Sequence, residues 1–281
     1  MTIHIVTDST CDIPPEIAAQ YDISIVPCYI NIGDISYRDG IDISRRDFYS
    51  HLPYYRDHPK TSAPGAGLFA DFYKKLAAEG VSQIISMHIH NGLSNLANAA
   101  SIAAETIDSI KVTVVEIGQL ALGLGFMVLT AARAALENKS LEQVLAIIKE
   151  YDTRTYIYAA LDTTDYLKAS GRVPGLVVGI ANLLKIKPLL SLHEGNLRLA
   201  GQVRTSSKGV ERLLEMMNKL GPLERIAVLH TNAVERANQL VERVKTGLHE
   251  NIDIWVSEVT PVLGVHVGPG AVGLVCVKAN R

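Results

Sequence analysis

Short apolar runs alternate with helix-length segments through the first half of this chain, and that alternation narrows the architectures open to it. Residues 3–7, 84–88 and 111–115 each read as a buried strand. Helical spacing recurs over 66–79, where Leu68, Phe69, Phe72 and Leu76 share a face, and again over 93–107 and 120–136. Strands separated by helices of this length are joined by right-handed crossovers and pair in parallel. Residues 14–20 read as a short helix with Pro in its first turn. Residues 23–30 read as a second strand in which Pro27 marks an edge or a bulge, and 31–42, with Gly33, Asp34, Asp39 and Gly40, as a turn-rich excursion. Ser44 to Asp47 approximates a capping box before Phe48, and Ser140 to Gln143 caps a helix reaching about Tyr151.

Past Thr153 the rhythm changes. Residues 156–160 read as a strand, and 187–192 with 197–204 as a hairpin turning through His193-Glu194-Gly195-Asn196. Helices over 206–220 and 233–249 flank a strand at 226–229, and strands at 254–258 and 273–277 close the chain. The expected fold class is α/β, with a parallel-sheet, Rossmann-like N-terminal domain over 1–153 and an α+β C-terminal domain over 154–281. Ligands on such sheets sit outside the carboxyl ends of the strands. The loops at Asp8-Ser9, around Thr61 and at residues 91–94 all lead into helices and so share one rim.

Composition removes several classes of function. The 281 residues are 48% hydrophobic and carry a formal net charge of -2, which offers no electrostatic footprint for nucleic acid. Cys11, Cys28 and Cys276 lack metal-ligand spacing, so a reducing compartment is expected. The start turns polar too soon for a signal peptide, and the apolar run 120–136 is short and interrupted by Arg133. A cytoplasmic protein that does not span a membrane is the expectation.

Four local patterns carry chemistry. Lys60-Thr61-Ser62-Ala63-Pro64-Gly65 places two hydroxyls just ahead of a helix, where they serve either as N-caps or as anion contacts. Gly92-Leu93-Ser94 reads either as a helix cap or as part of a nucleophile elbow whose second Gly is replaced by Leu96. His88-x-His90 puts two imidazoles on one strand face, without the further ligand a metal site needs. Gly264 to Gly270 surrounds His266 with glycines, which reads as a tight turn or as a loop able to approach a ligand closely. Gly123-x-Gly125 sits inside an apolar helix and reads as close packing rather than a dinucleotide fingerprint. Lys168, Arg172, Lys185, Lys187, Arg198, Arg204 and Lys208 give the second domain a basic tendency, either a solvated face or a docking surface.

Taken in order, Val6-Thr7-Asp8-Ser9-Thr10-Cys11-Asp12-Ile13-Pro14, Tyr37-Arg38-Asp39-Gly40-Ile41-Asp42, Thr61-Ser62-Ala63-Pro64, Gly92-Leu93-Ser94, Ser170-Gly171-Arg172-Val173 and His266-Val267-Gly268-Pro269-Gly270 resemble the DegV family of fatty-acid-binding proteins, which includes the acyl-binding subunits of bacterial fatty-acid kinase. The resemblance spans Asp8 to Gly270. It implies a long-chain fatty acid such as palmitate held between the two domains, no cofactor, and a role in phospholipid metabolism. By motif match it implies that Thr61 and Ser94 contact the carboxylate, with Ser62 beside them and His266 completing the head site. Arg172 and Arg204 match basic positions associated with docking a kinase protein or its phosphate. Leu122, Phe126, Met127, Ile180, Leu184 and Leu263 are candidate walls for the acyl chain.

The chain departs from the family pattern at three places. The usual Thr-Ser-Gln-Pro-Ser becomes Thr61-Ser62-Ala63-Pro64-Gly65. The usual Ser-Ser-Gly-Leu-Ser-Gly-Thr becomes His90-Asn91-Gly92-Leu93-Ser94-Asn95-Leu96, and the usual Asp-Ser after the third apolar strand becomes Glu116-Ile117. A carboxylate-suited constellation without a nucleotide motif or metal cluster leads to the expectation of a non-catalytic acyl carrier. The alternatives are a Ser94-dependent acyl hydrolase or transferase with His266 as base, and a carrier of another small carboxylate.

Overall fold

The computed structural model describes residues 2–172, 186–248 and 252–280. Strands are numbered in chain order; helices are named by range. β1 (Ile3–Asp8) lies between β2 (Ile23–Val26) and β6 (Gln83–Ile89), and β7 (Lys111–Ile117) pairs with the far side of β6. All three pairings are parallel. β1 and β6 are buried almost throughout, whereas β2 and β7 at the sheet edges are partly open, as expected for a parallel sheet covered on both faces. The parallel α/β architecture read from the apolar runs is present.

The strand expected over 23–30 is instead two strands in two sheets. Proline has no N–H for a ladder, and the chain leaves the first sheet at Pro27. β3 (Tyr29–Ile32) pairs antiparallel with β4 (Ile35–Arg38) on one edge and with β5 (Lys60–Ser62) on the other. Lys60–Ser62 is thus a strand, and the helix Ala66–Ala78 is capped by Gly65 without a side-chain bond. The hydroxyls of Thr61 and Ser62 are not N-caps.

A six-stranded sheet follows, in the order β10-β9-β8-β13-β11-β12. Its strands are β8 (Thr155–Ala160), β9 (Lys187–His193), β10 (Asn196–Val203), β11 (Leu223–His230), β12 (Ile254–Glu258) and β13 (Val272–Lys278). β11 and β12 pair in parallel and the other pairings are antiparallel, including the expected β9–β10 hairpin. Ser206–Asn218 and Val234–Gly247 cover one face, with Leu213, Met217, Ala237 and Leu240 packed on Ile226, Val228 and Leu274.

The opposite face is joined to the first sheet by the helix Ala121–Leu136. Leu122, Phe126, Met127 and Leu129 of this helix share one core with Ile5, Val6, Ile157, Val275 and Val277. A helix apolar on every side belongs inside. Gly125 permits the fit: a Cβ there would lie 2.5 Å from the Cys11 carbonyl oxygen, and one on Gly123 would lie 2.8 Å from Ile157 Cδ1. Among the described residues no helix is long and apolar enough to cross a membrane.

Candidate functional site

Between the two sheets lies a cavity that draws its walls from both. The first sheet supplies Thr10, Ile89, Leu93 and Ser94 from its carboxyl-end loops, and the second supplies Ile157, Leu190, Leu192 and Leu229. Leu120 and Ala121 close it at the start of the long helix, and Val262, Leu263 and His266 reach it from the helix Pro261–Val267. Aliphatic side chains dominate this surface, and the polar groups on it include Thr61, Ser62, Ser94, Arg172 and His266.

Thr61 and His266, 205 residues apart, meet directly: Thr61 Oγ1 lies 3.0 Å from His266 Nε2. Thr61 is half-buried in β5, paired with Ile30 of β3. His266 lies in a helix, not in the glycine loop expected from its neighbours. Pro261 starts that helix, Val265 packs on Ile30, Phe48 and Tyr49, and the left-handed turn begins only at Gly268, with φ +72°. Burial pushes the His266 imidazole down to about 4, assisted by the positive charge of Arg172 and by His58, so the ring is neutral. Its Nδ1 is covered, and among the described residues it has no hydrogen-bond partner.

Ser94 follows β6, but it is not the helix cap. The helix is Leu96–Glu105, with Asn95 at the N-cap position. The Ser94 amide donates to the His90 carbonyl at 3.3 Å. Among the described residues no imidazole bonds the Ser94 hydroxyl, and His266 Nε2 faces Thr61 instead. Ser62 is exposed, and its hydroxyl accepts from Asn31 Nδ2 at 3.3 Å. Arg172 is exposed at the mouth, where Nη2 donates to the Thr61 carbonyl at 3.3 Å. Arg204 is exposed beyond the end of β10 and does not line the cavity.

The other expectations divide. Leu263 lines the cavity, whereas Leu122, Phe126 and Met127 are core residues away from it. Phe126 packs edge-on against Trp255 with centroids 5.5 Å apart. Ile180 and Leu184 lie outside the described residues. His88 and His90 do not share a site. His88 is fully buried, with Nδ1 2.7 Å from Asp8 Oδ2 and Nε2 2.7 Å from Ser86 Oγ. That order of Ser, His and Asp is the order of a hydrolytic triad. Ser86, however, is also fully buried, and the Tyr73 hydroxyl donates to it at 2.7 Å. No substrate reaches that oxygen. Sequence reasoning also missed Cys28, His230 and Thr231 in the cavity wall. Neither Cys28 nor the adjacent His230 and Thr231 lies in a spacing that marks a site.

Residues 2–279 match the family described as uncharacterised protein, DegV family. This chain belongs to the DegV family. A DegV domain-containing protein of Streptomyces coelicolor is 35% identical over 276 residues, 97% of either chain. Among solved DegV structures, one from Thermus thermophilus described as fatty acid binding has a TM-score of 0.91 and 30% identity, covering 99% of this chain and 100% of that one. DegV of Bacillus subtilis, described as a fatty acid binding protein, has a TM-score of 0.90 and 28% identity, with the same coverage.

Two of the three places where this chain departs from the DegV pattern meet in space. Glu116 accepts from the Asn91 amide and from Asn91 Nδ2, both at 2.8 Å, and its Oε1 lies 3.3 Å from His90 Nε2. The His90 ring also lies against Gly195 in the β9–β10 turn. His90, Asn91 and Glu116 therefore form one substituted patch. It sits beside Ser94 in sequence but outside the cavity wall.

Proposed function

We propose that this protein binds a long-chain fatty acid with its acyl chain in the cavity between the sheets and its carboxylate at Thr61, Ser94 and His266. The observation that carries the reading is the Thr61–His266 contact on a predominantly aliphatic cavity, with His266 Nδ1 unpaired among the described residues. An apolar tail and one polar end are the two environments a fatty acid needs. A buried carboxylate must be met by hydrogen-bond donors. The Ser94 hydroxyl supplies such a donor without a full counter-charge, and so does whichever proton the Thr61–His266 bond leaves free, the Thr61 O–H or the imidazole Nδ1–H, while Arg172 adds positive potential at the mouth. Roughly 0.8 kcal/mol is gained per buried methylene, so a long chain contributes on the order of 10 kcal/mol before ordering costs. The tail supplies the affinity and the hydroxyls decide which end is presented. The fatty-acid-binding descriptions of the Thermus and Bacillus relatives support the same ligand class.

On this reading the chain is a non-catalytic carrier that offers the carboxylate to a separate kinase protein. A carboxylate oxygen attacks the γ-phosphorus of ATP on the partner, ADP leaves, and an acyl phosphate forms. Arg172 and Arg204 are the cations assigned to that docking. Native mass spectrometry of the purified protein is expected to show an added mass equal to a fatty acid. A protein that is consistently empty and takes up no palmitate overturns the ligand assignment. Absence of acyl phosphate when loaded carrier, ATP and a fatty-acid kinase catalytic protein are combined overturns the kinase assignment alone.

A further inference from the structure

Three successive backbone groups just ahead of the His266 helix are held by side chains from the other end of the chain. Arg45 Nη1 donates to the Glu258 carbonyl and, at 3.1 Å, to Ser257 Oγ. The Tyr49 hydroxyl donates to the Val259 carbonyl at 2.9 Å. Asp12 Oδ1 accepts from the Thr260 amide at 2.7 Å. Arg45 and Tyr49 lie on the helix Arg45–His51, and Asp12 follows the turn that ends β1.

The local chemistry is unfavourable enough to require an explanation. Asp12 has φ +56°, in the left-handed region that glycine adopts more easily, and it is 1% exposed. Among the described residues its Oδ2 has no hydrogen-bond partner, and Arg45 Nη2 is 3.9 Å from Oδ1. A carboxyl group so placed costs stability unless its one strong bond does something. Tyr49 is likewise buried, and a Cβ on Gly264 would collide with its hydroxyl. The glycine therefore lets the helix Pro261–Val267 seat against Tyr49, while Leu263, His266 and Val267 reach the cavity.

We propose that Asp12, Arg45 and Tyr49 are positioning residues for the head of the cavity: by holding the backbone at 258–260 they fix the helix that carries His266 and so set its contact with Thr61, without touching the ligand. A hydrogen bond of 3.0 Å weakens steeply with displacement, so a small slide of this two-turn helix separates His266 from Thr61. The inference rests on the reading that the cavity holds a carboxylate, but its primary readout does not.

Two measurements test it: His266 imidazole nitrogen resonances in ligand-free, histidine-labelled protein, and palmitate affinity by displacement of a fluorescent acyl analogue. Asp12→Gly suits the left-handed backbone yet removes the acceptor, and is expected to move the His266 resonances and weaken palmitate about tenfold. Asp12→Asn keeps an acceptor oxygen and tolerates the same backbone, and is expected to retain native resonances and affinity within about twofold. Tyr49→Phe removes one bond and is expected to shift the same resonances, with about threefold weaker palmitate. Unmoved His266 signals in a cooperatively folded Asp12→Gly protein overturn the proposal, as does Asn failing as badly as Gly. Should Asp12→Gly not fold, Tyr49→Phe decides by the same signals. If wild-type protein takes no palmitate, the ligand assignment falls while the His266 resonances still judge the positioning.

Discussion

Two covered histidines of this chain are wired in opposite ways. Both ring nitrogens of His88 are bonded at 2.7 Å, to Asp8 and to Ser86, and its ring stands edge-on to Phe69 at 5.0 Å. His266 spends one nitrogen on Thr61 and, among the described residues, leaves the other covered and unpaired at a cavity wall. In the first cluster each polar group is consumed by a neighbour. Thr10 closes it on one side, donating through its amide and hydroxyl to Asp8, and Tyr73 closes it on the other. It ties β1, β6 and the helix Ala66–Ala78 together and can accept nothing more. In the second cluster an unsatisfied polar atom lowers the stability of the free protein, and a ligand that meets it recovers that loss. On the proposed reading, the saturated histidine is structural and the one with a deficit beside the cavity meets the ligand.

The largest effect that sharpens this contrast is on the saturated side. Asp8→Ala leaves His88 Nδ1 and the Thr10 amide without an acceptor in a fully buried place, and is expected to cost about 3 kcal/mol of stability. Urea titration reads this as a lower midpoint at unchanged slope. Thr61→Val, isosteric at the head of the cavity, is expected to cost far less stability and to weaken palmitate about tenfold, the worth of one or two hydrogen bonds to a carboxylate. An Asp8→Ala protein as stable as wild type, or a Thr61→Val protein that loses stability instead of affinity, breaks the contrast.

Acid sensitivity sets His266 apart from two buried carboxylates. His266 is held near 4 in the folded chain, below its ordinary 6.5, so between those values the unfolded chain binds more protons. Stability from this group is complete above pH 6.5 and falls as pH is lowered through the window, by at most about 3 kcal/mol. Asp12 and Asp39 act in the other direction, because burial raises them from 3.8 to about 6 and about 7. Their contribution is complete below pH 3.8 and is lost as pH rises through 6 to 7. His266→Gln is therefore expected to flatten the fall in stability below pH 6.5, and Asp12→Asn to remove the opposing loss between pH 3.8 and about 6. A His266→Gln curve that keeps the full acid limb places the acid sensitivity elsewhere.

Much of the frame was legible, and the failures have a common cause. The central strands β1 and β6 are buried on both faces, so their apolar runs announce them, and the capping box at Ser140 and Gln143 forms both of its bonds. Thr61 misled because Thr-Ser-x-Pro before a helix has a local meaning, while its actual pairing with Ile30 is decided across thirty residues of chain. His266 misled for the same reason: glycines argue for a loop locally, but Val265 packing on Ile30, Phe48 and Tyr49 favours a helix. Phe126 shows a different limit. Periodicity identifies a buried side chain, and two interiors, core and cavity, look alike to it. Asp12 stands inside a family motif, but its role could not be read there, since one carboxylate bonded to one distant amide leaves no spacing.

The smallest predicted effect concerns a third histidine. His90 and Glu116 are 46% and 36% exposed, so their pairing is screened by solvent. Glu116 still accepts two bonds from Asn91, and the neighbouring β9–β10 turn is anchored separately by the Gly195 amide on the Gly118 carbonyl at 2.9 Å. Glu116→Ala is therefore expected to lower stability by less than about 1 kcal/mol and to leave palmitate affinity within about twofold. Urea midpoints and the displacement assay check the two halves independently. Should Glu116→Ala weaken palmitate as far as Thr61→Val does, the contrast between saturated and unsaturated histidines would not suffice to define the site. The patch where this chain departs from the DegV pattern would then belong to ligand selection, acting on Ser94 through the turn that His90 and Asn91 begin.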